Sequence, residues 1–448
     1  MENEPSKRIG IGFLGAGTVG GGALDVLLNK REQLTAAVGA ELVVRKILVR
    51  DVNKARAVAL PPELLTTCVG DILDNPEIQV IVELIGGEEP ARTYMARALA
   101  AGKHVVTANK EVIAKHGPSL MRLAAENDAN LFFEAAVGGG IPVISTLRQD
   151  LVANKMHSIQ AIINGTTNYI LTDMATGRDY AEALADAQRL GYAEADPRND
   201  VEGIDAVYKL SILATLAFHT SVRPTDIFHS GITRLTARDF RYATEMGYVI
   251  KLIAWARLVE GPDGDQVEGA VYPMLLSKDH HLALVRGVYN AILLDGDQID
   301  KLMLYGRGAG AKPTASAVVA DLCRVAHNVL RGVTDRLSII DQDHSIRDFG
   351  EQSSRFYFRM TVADQPGVLG QIARILGDHK ISIASFIQKE AFVQPTPADA
   401  GDVDSPSRSA EIVIMTHTAT EKLVEDAMTE IRRLAAVREI ASFVRVER

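Results

Sequence analysis

The 448-residue sequence contains two cysteines and one tryptophan, and it has no apolar run long enough to span a membrane. Cys68 and Cys323 lie far apart without metal-ligand spacing, so the sequence predicts neither a disulfide framework nor a zinc site. The formal net charge of −9 argues against nucleic acid or an anionic membrane as the main partner. The first residues lack the basic and then apolar pattern of a signal peptide, and we expect a cytoplasmic protein of several domains.

A glycine motif near the start predicts the first domain. The apolar run Ile9–Leu14 leads into Gly15-Ala16-Gly17-Thr18-Val19-Gly20, which is followed by a helical pattern over Ala23–Leu34. In this context the first glycine permits a tight turn, the second admits a pyrophosphate, and the third lets helix and strand pack closely. Strands and helices alternate over residues 1–145, which predicts an α/β fold with a doubly wound, Rossmann-type parallel sheet.

The end of the second predicted strand bears on the cofactor. Val49 is followed by Arg50 and Asp51. An arginine here accommodates the 2′-phosphate of NADP, whereas an acid favours the ribose 2′-hydroxyl of NAD, so either is possible with a leaning to NADP. A second glycine-rich turn, which includes Gly308, precedes the helical pattern Thr314–Leu330. We expect residues 306–335 to return to the cofactor side and complete the first domain.

The pattern changes after about residue 145. Residues 146–305 predict an α+β substrate-binding and dimerisation domain with a mostly antiparallel sheet, and residues 336–355 are polar and predict a linker. Residues 356–448 follow the order βαββαβ of a ferredoxin-like module. Within this module the segment 394–408 is rich in Pro, Asp and Ser and is predicted to be disordered.

A charged segment, residues 191–209, carries the most informative chemistry. Glu194 and Asp200 belong to a loop that leads into an apolar helical pattern carrying Asp205 and Lys209. The last two are four residues apart, so they share one face of the helix. A lysine beside a carboxylate at such a junction can bind a zwitterionic small molecule and move a proton. The alternative is an exposed ion pair, which is common and weak.

Three more motifs follow predicted strands. Lys110 comes directly after a strand, where open α/β sheets place their ligands, although a solvated lysine is the alternative. Asn164-Gly165-Thr166-Thr167-Asn168 suits a polar substrate pocket or a helix cap. The segment from Glu134 to Pro142 combines a carboxylate with a bare glycine-rich backbone. Its oxygens suit a hard cation such as Na⁺, and a flexible hinge is the alternative.

These motifs, taken together and in this order, resemble those of homoserine dehydrogenase. The resemblance covers residues 8 to about 335 and includes Gly191-Tyr192-Ala193-Glu194-Ala195-Asp196-Pro197. Residues 356–448 resemble an ACT domain, through Asp364-Gln365-Pro366-Gly367-Val368-Leu369. The resemblance is to the longer bacterial type with a C-terminal ACT domain. It implies NAD(P)-dependent interconversion of L-homoserine and L-aspartate 4-semialdehyde, in the biosynthesis of threonine, methionine and isoleucine.

The resemblance also implies roles for single residues. Lys209 would be the general acid and base, Lys110 a second essential lysine, and Asp205 would orient the substrate or a water. Glu194 would bind the substrate's amino group. The further candidates are the substrate-binding residues Asn164, Thr166 and Asp200, the cofactor-binding residues Gly15, Gly17, Thr18, Val19, Gly20, Arg50, Lys110 and Gly308, and the monovalent-cation ligands Glu134, Val137, Gly139 and Ile141. A homo-oligomer, dimer or tetramer, and L-threonine as an effector of the ACT module complete the expectation.

Two other functions stay open at this point. One is another NAD(P)-dependent amino-acid dehydrogenase of the same architecture, and the other is a non-enzymatic NAD(P) sensor with the ACT module as its output. The Asn-Gly-Thr-Thr-Asn and Tyr-Ala-Glu-Ala-Asp-Pro motifs argue against the first. A sensor needs no proton-transfer lysine, so Lys110 and Lys209 argue against the second.

Overall fold

The computed structural model describes residues 7–56, 58–335, 340, 342–390 and 409–447. The first domain is a parallel sheet with helices on both faces. Its elements are β1 (Arg8–Leu14), α1 (Thr18–Asn29), α2 (Arg31–Val38), β2 (Glu41–Leu48), β3 (Leu65–Thr66), α3 (Gly70–Leu73), β4 (Val80–Glu83), α4 (Ala91–Ala100), β5 (His104–Thr107), α5 (Lys110–Glu126) and β6 (Leu131–Phe132).

The six strands lie in the order β3-β2-β1-β4-β5-β6, and all of them are parallel. This order changes direction at β1 and β4, which is where doubly wound sheets bind dinucleotides. The predicted α/β, Rossmann-type class is therefore confirmed. Helix α1 starts at Thr18, earlier than its predicted start at Ala23, because glycines in its first turns let it pack tightly. A Cβ on Gly20 would lie 2.5 Å from the Gly15 carbonyl oxygen.

The second domain is built on a mostly antiparallel sheet with the site helices on one side. Its elements are α6 (Val143–Ser145), β7 (Met156–Ile162), α7 (Gly165–Met174), α8 (Tyr180–Arg189), α9 (Arg198–Val201), α10 (Ile204–Ala217), β8 (Phe228–His229), α11 (Ala237–Glu245), β9 (Tyr248–Gly261), β10 (Gly264–Ser277), β11 (Tyr289–Gly296) and β12 (Asp300–Arg307). Helix α12 (Ala311–Arg331) then packs against α1, and its Ala315, Val318 and Leu322 join the core of the first sheet.

Strand β12 was not predicted from the sequence. Its side chains are apolar on both faces, and they alternate between exposed and half-buried, so the segment lacks the one-sided pattern that marks a strand over a core. It pairs with β11 and lies at one end of the second sheet.

The third domain has the ferredoxin-like order expected of an ACT module. Its elements are β13 (Ser345–Ile346), β14 (Ser353–Ala363), α13 (Val368–Asp378), β15 (Ile383–Glu390), β16 (Ser409–Thr416), β17 (Ala419–Thr420), α14 (Glu421–Ile431) and β18 (Val437–Val446). Its core is a separate apolar cluster that includes Phe356, Phe358 and Ile414. The predicted disordered segment 394–408 lies outside the described residues.

The second and third domains share one continuous sheet. Strand β18 pairs in parallel with the end of β10, through Met274 opposite Arg445. Within the predicted linker, β13 pairs with β10, and Phe349 stacks on Phe228 with ring centres 3.7 Å apart. The linker therefore packs on the sheet as well as connecting two domains. Among the described residues, no helix is both long and apolar enough to cross a bilayer.

Buried ion pairs reinforce this junction. Arg359 of β14 donates to Asp239 of α11 at 2.7 Å and to Glu411 of β16 at 2.9 Å, and all three side chains are buried. The Tyr242 hydroxyl also donates to Glu411, at 2.6 Å. Since buried charges are tolerated only when they are paired, this network fixes how the ACT module sits on the second domain.

Candidate active site

A buried carboxylate between two lysines forms the centre of the candidate site. Asp205 Oδ1 lies 2.8 Å from Lys110 Nζ, and Asp205 Oδ2 lies 2.6 Å from Lys209 Nζ. The Lys209 ammonium also donates to the Ile163 carbonyl at 2.8 Å. The structure thus brings the three predicted catalytic residues together, and it joins α5 of the first domain to α10 of the second.

Local sequence explains how α10 presents its two charges. Gly203 precedes the helix with a φ of 85°, a left-handed conformation that favours glycine. Twelve of the fourteen helical residues are buried, including Asp205 and Lys209. The ion pair is therefore enclosed by protein, and the surface ion pair considered as the alternative is excluded.

Lys110 is positioned by the turn between β5 and α5. Asn109 caps α5 by accepting from the Val112 N–H, and its amide donates to the Gly87 carbonyl at 2.8 Å. Lys110 is the first residue of the helix, and 41% of its side chain is exposed. It is therefore the more accessible of the two lysines.

Asn164 connects both acidic residues to helix α7. Its amide donates to Asp205 at 2.9 Å and to Asp200 at 2.7 Å, while its carbonyl oxygen caps α7 at Thr167 N–H. The Asn-Gly-Thr-Thr-Asn motif thus acts both as a helix cap and as a lining of the site. The predicted helix cap is therefore confirmed, and the predicted substrate pocket stays a prediction.

The charges of the cluster depend on one another. Burial by itself would raise the pKa of Asp205, but the ammonium groups of Lys209 and Lys110 hold that pKa well below its ordinary value. The Asp205 charge in turn raises the pKa of Lys110. Burial raises the pKa of Asp200, and the nearby Asp205 charge adds to the rise. The site therefore keeps Asp205 ionised and Lys110 protonated at neutral pH.

Two predicted substrate-binding residues lie at the edge of the cluster. Thr166 donates through its hydroxyl to the Tyr192 carbonyl at 2.6 Å, which ties the charged loop to the start of α7. Glu194 lies farther along that loop and is exposed, and no hydrogen bond within the described residues joins its carboxylate to the cluster. Its side chain is free to meet a ligand that enters from the solvent side.

A cavity of about 1,150 Å³ borders the carboxyl ends of the first sheet. Among its lining residues are Gly15, Gly17, Thr18, Arg50 and Asp51. A Cβ on Gly17 would meet no atom within 4 Å, so the backbone there faces open space. This is the cradle that a pyrophosphate needs, and it is distinct from the tight packing around Gly15 and Gly20.

The end of the cavity near β2 is basic. Arg50 and Lys54 line it, and neither side chain has a hydrogen-bond or ion-pair partner within the described part of the chain. Arg56 also lines it, and its guanidinium donates to the Lys54 carbonyl at 2.8 Å. The sequence analysis did not identify Lys54 and Arg56. The rule that relates sequence to recognition of the ribose 2′ group considers only the end of the second strand, and both residues come after it.

Not every predicted cofactor residue lines this cavity. Val19 packs against the core of the first sheet, and Gly20 packs against Gly15. Gly308 lies against Gly139 and Asn290, and a Cβ on it would lie 1.8 Å from the Asn290 amide nitrogen. These three residues pack within the protein and, like Lys110, are not among the residues that line the cavity, so their part in cofactor binding stays a prediction.

The predicted cation loop is only partly open to an ion. The Glu134 carboxylate accepts from the Ile144 and Ser145 N–H groups, each at 2.8 Å. It also lies 3.4 Å from the Arg324 guanidinium. The carbonyl oxygens of Val137 and Gly139 accept no hydrogen bond within the described residues, whereas the Ile141 carbonyl accepts from Val143 N–H. Two oxygens thus fit a hard cation, while Glu134 mainly holds the loop.

Glu83 is a supporting residue that the sequence reading did not identify. It ends β4, is fully buried, and accepts from the Thr107 hydroxyl at 2.6 Å, so it fixes the turn that carries Lys110. Burial raises the pKa of this carboxyl. The sequence feature that could have identified it is an acidic residue near the end of the apolar run Gln79–Leu84.

Comparisons with known proteins find similar families over most of the chain. The family model described as "Homoserine dehydrogenase" matches residues 142–323, "Homoserine dehydrogenase, NAD binding domain" matches residues 15–134, and "ACT domain" matches residues 356–436. The homoserine dehydrogenase of Synechocystis sp. is 43% identical over 443 residues, which are 97% of this chain and 99% of that protein.

Solved structures are similar over most of the chain. The structure of a homoserine dehydrogenase from Thiobacillus denitrificans has a TM-score of 0.89 and 41% identity, and the match covers 98% of each chain. A hyperthermophilic archaeal homoserine dehydrogenase in complex with NADPH has a TM-score of 0.60 and 28% identity. That match covers 72% of this chain and 98% of the archaeal chain.

Replacing the central carboxylate tests its role in holding the two domains together. Asp205→Asn leaves two ammonium groups without a counter-charge. We expect a loss of about 3 kcal/mol in the free energy of unfolding, the lower end of the range for a broken buried pair, because Lys110 can be hydrated. Urea titration at pH 7 measures it. Asp196→Asn, which alters an exposed pair with Arg198, should have no measurable effect.

The pH dependence of that loss has a defined sign. Because the pKa of Asp205 is lowered in the folded protein, its stabilising effect is present above its ordinary pKa of 3.8 and is lost as the pH falls through the lowered value. The stability difference between wild type and Asp205→Asn should be constant from about pH 5 to pH 8 and shrink in more acid solution. A difference that changes between those two pH values would contradict the assignment.

Proposed function

The chain belongs to the homoserine dehydrogenase family, and we propose that the Lys110–Asp205–Lys209 cluster is its catalytic centre. As a member of this family with an NAD-binding domain and an ACT domain, it is an oxidoreductase that interconverts L-homoserine and L-aspartate 4-semialdehyde. The observation that carries the proposal is the pairing of one buried carboxylate with lysines from two domains. The turn that carries Lys110 is bonded through Asn109 to Gly87, which follows Gly86 in the lining of the cavity at the glycine turn.

The two lysines have different roles in this proposal. The Asp205 charge raises the pKa of Lys110, so Lys110 stays protonated and is suited to hold the substrate oxygen. Lys209 then accepts the hydroxyl proton during oxidation and returns it to the alkoxide oxygen during reduction. Bound NAD(P) supplies the hydride acceptor or donor. Oxidation requires an unprotonated amine, so we expect its rate to rise with pH.

Acidic residues around the cluster would hold the amino group of the substrate. The Glu194 carboxylate has no partner in the described residues and the residue is exposed, and Asp200 is held beside Asp205 by Asn164. A substrate ammonium between these carboxylates would place the rest of the molecule toward Lys110. Thr166 stabilises the loop that carries Glu194, through its bond to Tyr192.

Removal of the Lys209 amine tests the proton-transfer role. We expect Lys209→Ala to lower kcat for homoserine oxidation by about 10²–10⁴, the range for a lost general base, with cofactor affinity near that of wild type. Steady-state kinetics and fluorescence titration with NADPH measure the two quantities. The control is Lys115→Ala, which removes a lysine paired with Glu88 and Glu111 on the same α5 helix as Lys110. Turnover near the wild-type rate in Lys209→Ala would refute this role.

The cofactor is NAD or NADP, and we propose NADP as the preferred one. The support is the basic end of the cavity, where the side chains of Arg50 and Lys54 have no partner within the described residues. A 2′-phosphate would pair with these cations, and arginine binds phosphate with two parallel hydrogen bonds. NAD has no group that uses them.

Cofactor preference is tested by Arg50→Ala. We expect its affinity for NADPH to fall at least about tenfold more than its affinity for NADH, because only one cofactor loses a charge-assisted contact. Binding titrations with both cofactors measure the ratio. Lys30→Ala, at an exposed position outside the cavity lining, is the matched control. An equal loss for both cofactors would show that Arg50 does not face the 2′ position.

We also propose a monovalent cation such as Na⁺ at the 134–141 loop. The open carbonyl oxygens of Val137 and Gly139 support it, and Ile141 and Glu134 would complete the set. Gly139 packs on Gly308, so an ion here would stabilise the contact between this loop and the turn before α12. Its role would be structural.

Strand β12 supports a homo-oligomer. It is an edge strand of eight residues, with Tyr305 and Met303 exposed by 52% and 39%. Unprotected edges of this length pair readily with another strand. We infer that a second copy of the chain covers β12.

We also propose L-threonine as the effector of the ACT module.

A charged edge tests this interface. Met303→Lys combined with Tyr305→Lys should lower the molar mass in light scattering, because ammonium groups are costly to bury. Leu284→Lys, which changes a 72% exposed leucine elsewhere on the same domain, should leave the mass unchanged. An unchanged mass in the double variant would place the interface elsewhere.

A further inference from the structure

Glu83, the last residue of β4, is a buried carboxylate with no cation beside it. Its side chain is fully buried, and within the described residues no lysine, arginine or histidine forms an ion pair with it. Asp205, which is also buried, has two ammonium groups as partners. Because buried charges are normally paired, the unpaired carboxylate of Glu83 requires a separate explanation.

The hydrogen bonds of this side chain suit the carboxylate anion. Its Oε1 accepts from the Ile85 N–H at 2.9 Å, and its Oε2 accepts from the Thr107 hydroxyl at 2.6 Å. The Thr107 oxygen itself accepts from the Asn109 N–H at 2.9 Å, so its own proton is left for the carboxylate. Burial raises the pKa of Glu83, and these donors oppose the rise. Neutral donors stabilise the anion but do not cancel its charge.

The carboxylate lies directly behind the wall of the cavity at the glycine turn. Ile85, whose N–H it accepts, lines that cavity together with Gly86. Strand β1 lies between β2 and β4, and Arg50 follows β2. A dinucleotide that crosses the carboxyl ends of these strands, with its 2′ end at Arg50, therefore has its other end at β4.

The reaction requires the nicotinamide to lie at this same end, and this step depends on the proposed function. Hydride transfer needs the nicotinamide against the substrate that Lys110 holds. Thr107 donates to Glu83 three residues before Lys110, and the Asn109 amide donates to the Gly87 carbonyl at 2.8 Å. Glu83 is thus bonded both to the cavity wall and to the turn that carries Lys110. A nicotinamide beside Lys110 is therefore close to Glu83 as well.

We propose that the unpaired charge of Glu83 sets the preference of the site for the oxidised cofactor over the reduced one. The nicotinamide ring is positively charged in NADP⁺ and neutral in NADPH, so a nearby buried anion attracts only the first. The phosphates and the adenosine are the same in both forms, so their contacts cancel in the ratio of the two affinities. The charge then favours the direction in which NADPH gives its hydride to the aldehyde carbon, because that direction creates the positive ring.

Glu83→Gln in the full chain tests the proposal. The glutamine oxygen can accept from the Ile85 N–H while its amide donates to the Thr107 oxygen, so the variant removes the charge and keeps the shape. We expect the ratio of the Kd for NADP⁺ to the Kd for NADPH to rise about five- to tenfold, the effect of one unit charge several ångströms away in a partly buried site. Fluorescence titration with NADPH, and its displacement by NADP⁺, measure the two constants.

Three further variants separate charge from packing. Thr107→Val removes a hydrogen bond to the same carboxylate but keeps its charge, so both affinities should change by the same factor. Glu41→Gln removes a buried carboxylate that is paired with Arg8 and Arg31 at the start of β2, at the opposite edge of the sheet, and should bind both cofactors like wild type. Glu83→Met is a second neutral variant in case Glu83→Gln does not fold, and it should show the same rise.

An unchanged ratio in the neutral variants would overturn the proposal. Equal losses of both affinities there would leave Glu83 with a packing role only, and a rise of similar size in Thr107→Val would show that the charge is not the cause. None of these measurements requires homoserine turnover. An unchanged ratio beside an inactive Lys209→Ala would therefore reject this inference alone, whereas a raised ratio beside an active Lys209→Ala would reject only the proposed proton transfer.

Discussion

The ion pairing of Asp205 is the interaction on which the site depends. A carboxylate this deeply buried is unstable unless cations compensate it, and here the compensation comes from two separate elements, Lys110 of α5 and Lys209 of α10. The same requirement that keeps the carboxylate charged also fixes the relative position of the dinucleotide and substrate domains. The packing of the two domains and the geometry of the candidate site are therefore set by one group of charges.

The surrounding structure holds that group in place from several directions. Glu83 fixes the turn that carries Lys110, Asn164 orients Asp200 and Asp205, and the left-handed Gly203 starts α10 where its first turn meets the site. On the far side, the shared sheet and the buried Arg359 network attach the ACT module to the same domain. The candidate catalytic cluster and the ACT module are thus continuous through packed, paired residues.

Local patterns in the sequence were sufficient to predict part of the fold and of the candidate site. The glycine turn, the Asp205–Lys209 spacing and the βαββαβ order each depend on neighbouring residues, and each was predicted. The contact of Lys110 with Asp205 depends on how two domains pack, and Glu83 acts on a turn of a neighbouring strand, so no local pattern reveals either. Strand β12 was missed because an edge strand without a one-sided apolar face has no periodic signal. The cofactor-binding role of Gly308 stays a prediction, since its packing on Asn290 and Gly139 depends on contacts between distant segments that no local pattern reveals.

The central claim is that the substrate hydroxyl meets the two lysines beside the cavity at the glycine turn. A crystal structure of the full chain with L-homoserine and NADP⁺ tests this most directly. The account predicts the homoserine hydroxyl oxygen within about 3.2 Å of Lys209 Nζ, with Lys110 also in contact with substrate. The account would be contradicted if homoserine bound with its hydroxyl away from both lysines, in a crystal that still forms product when it is warmed.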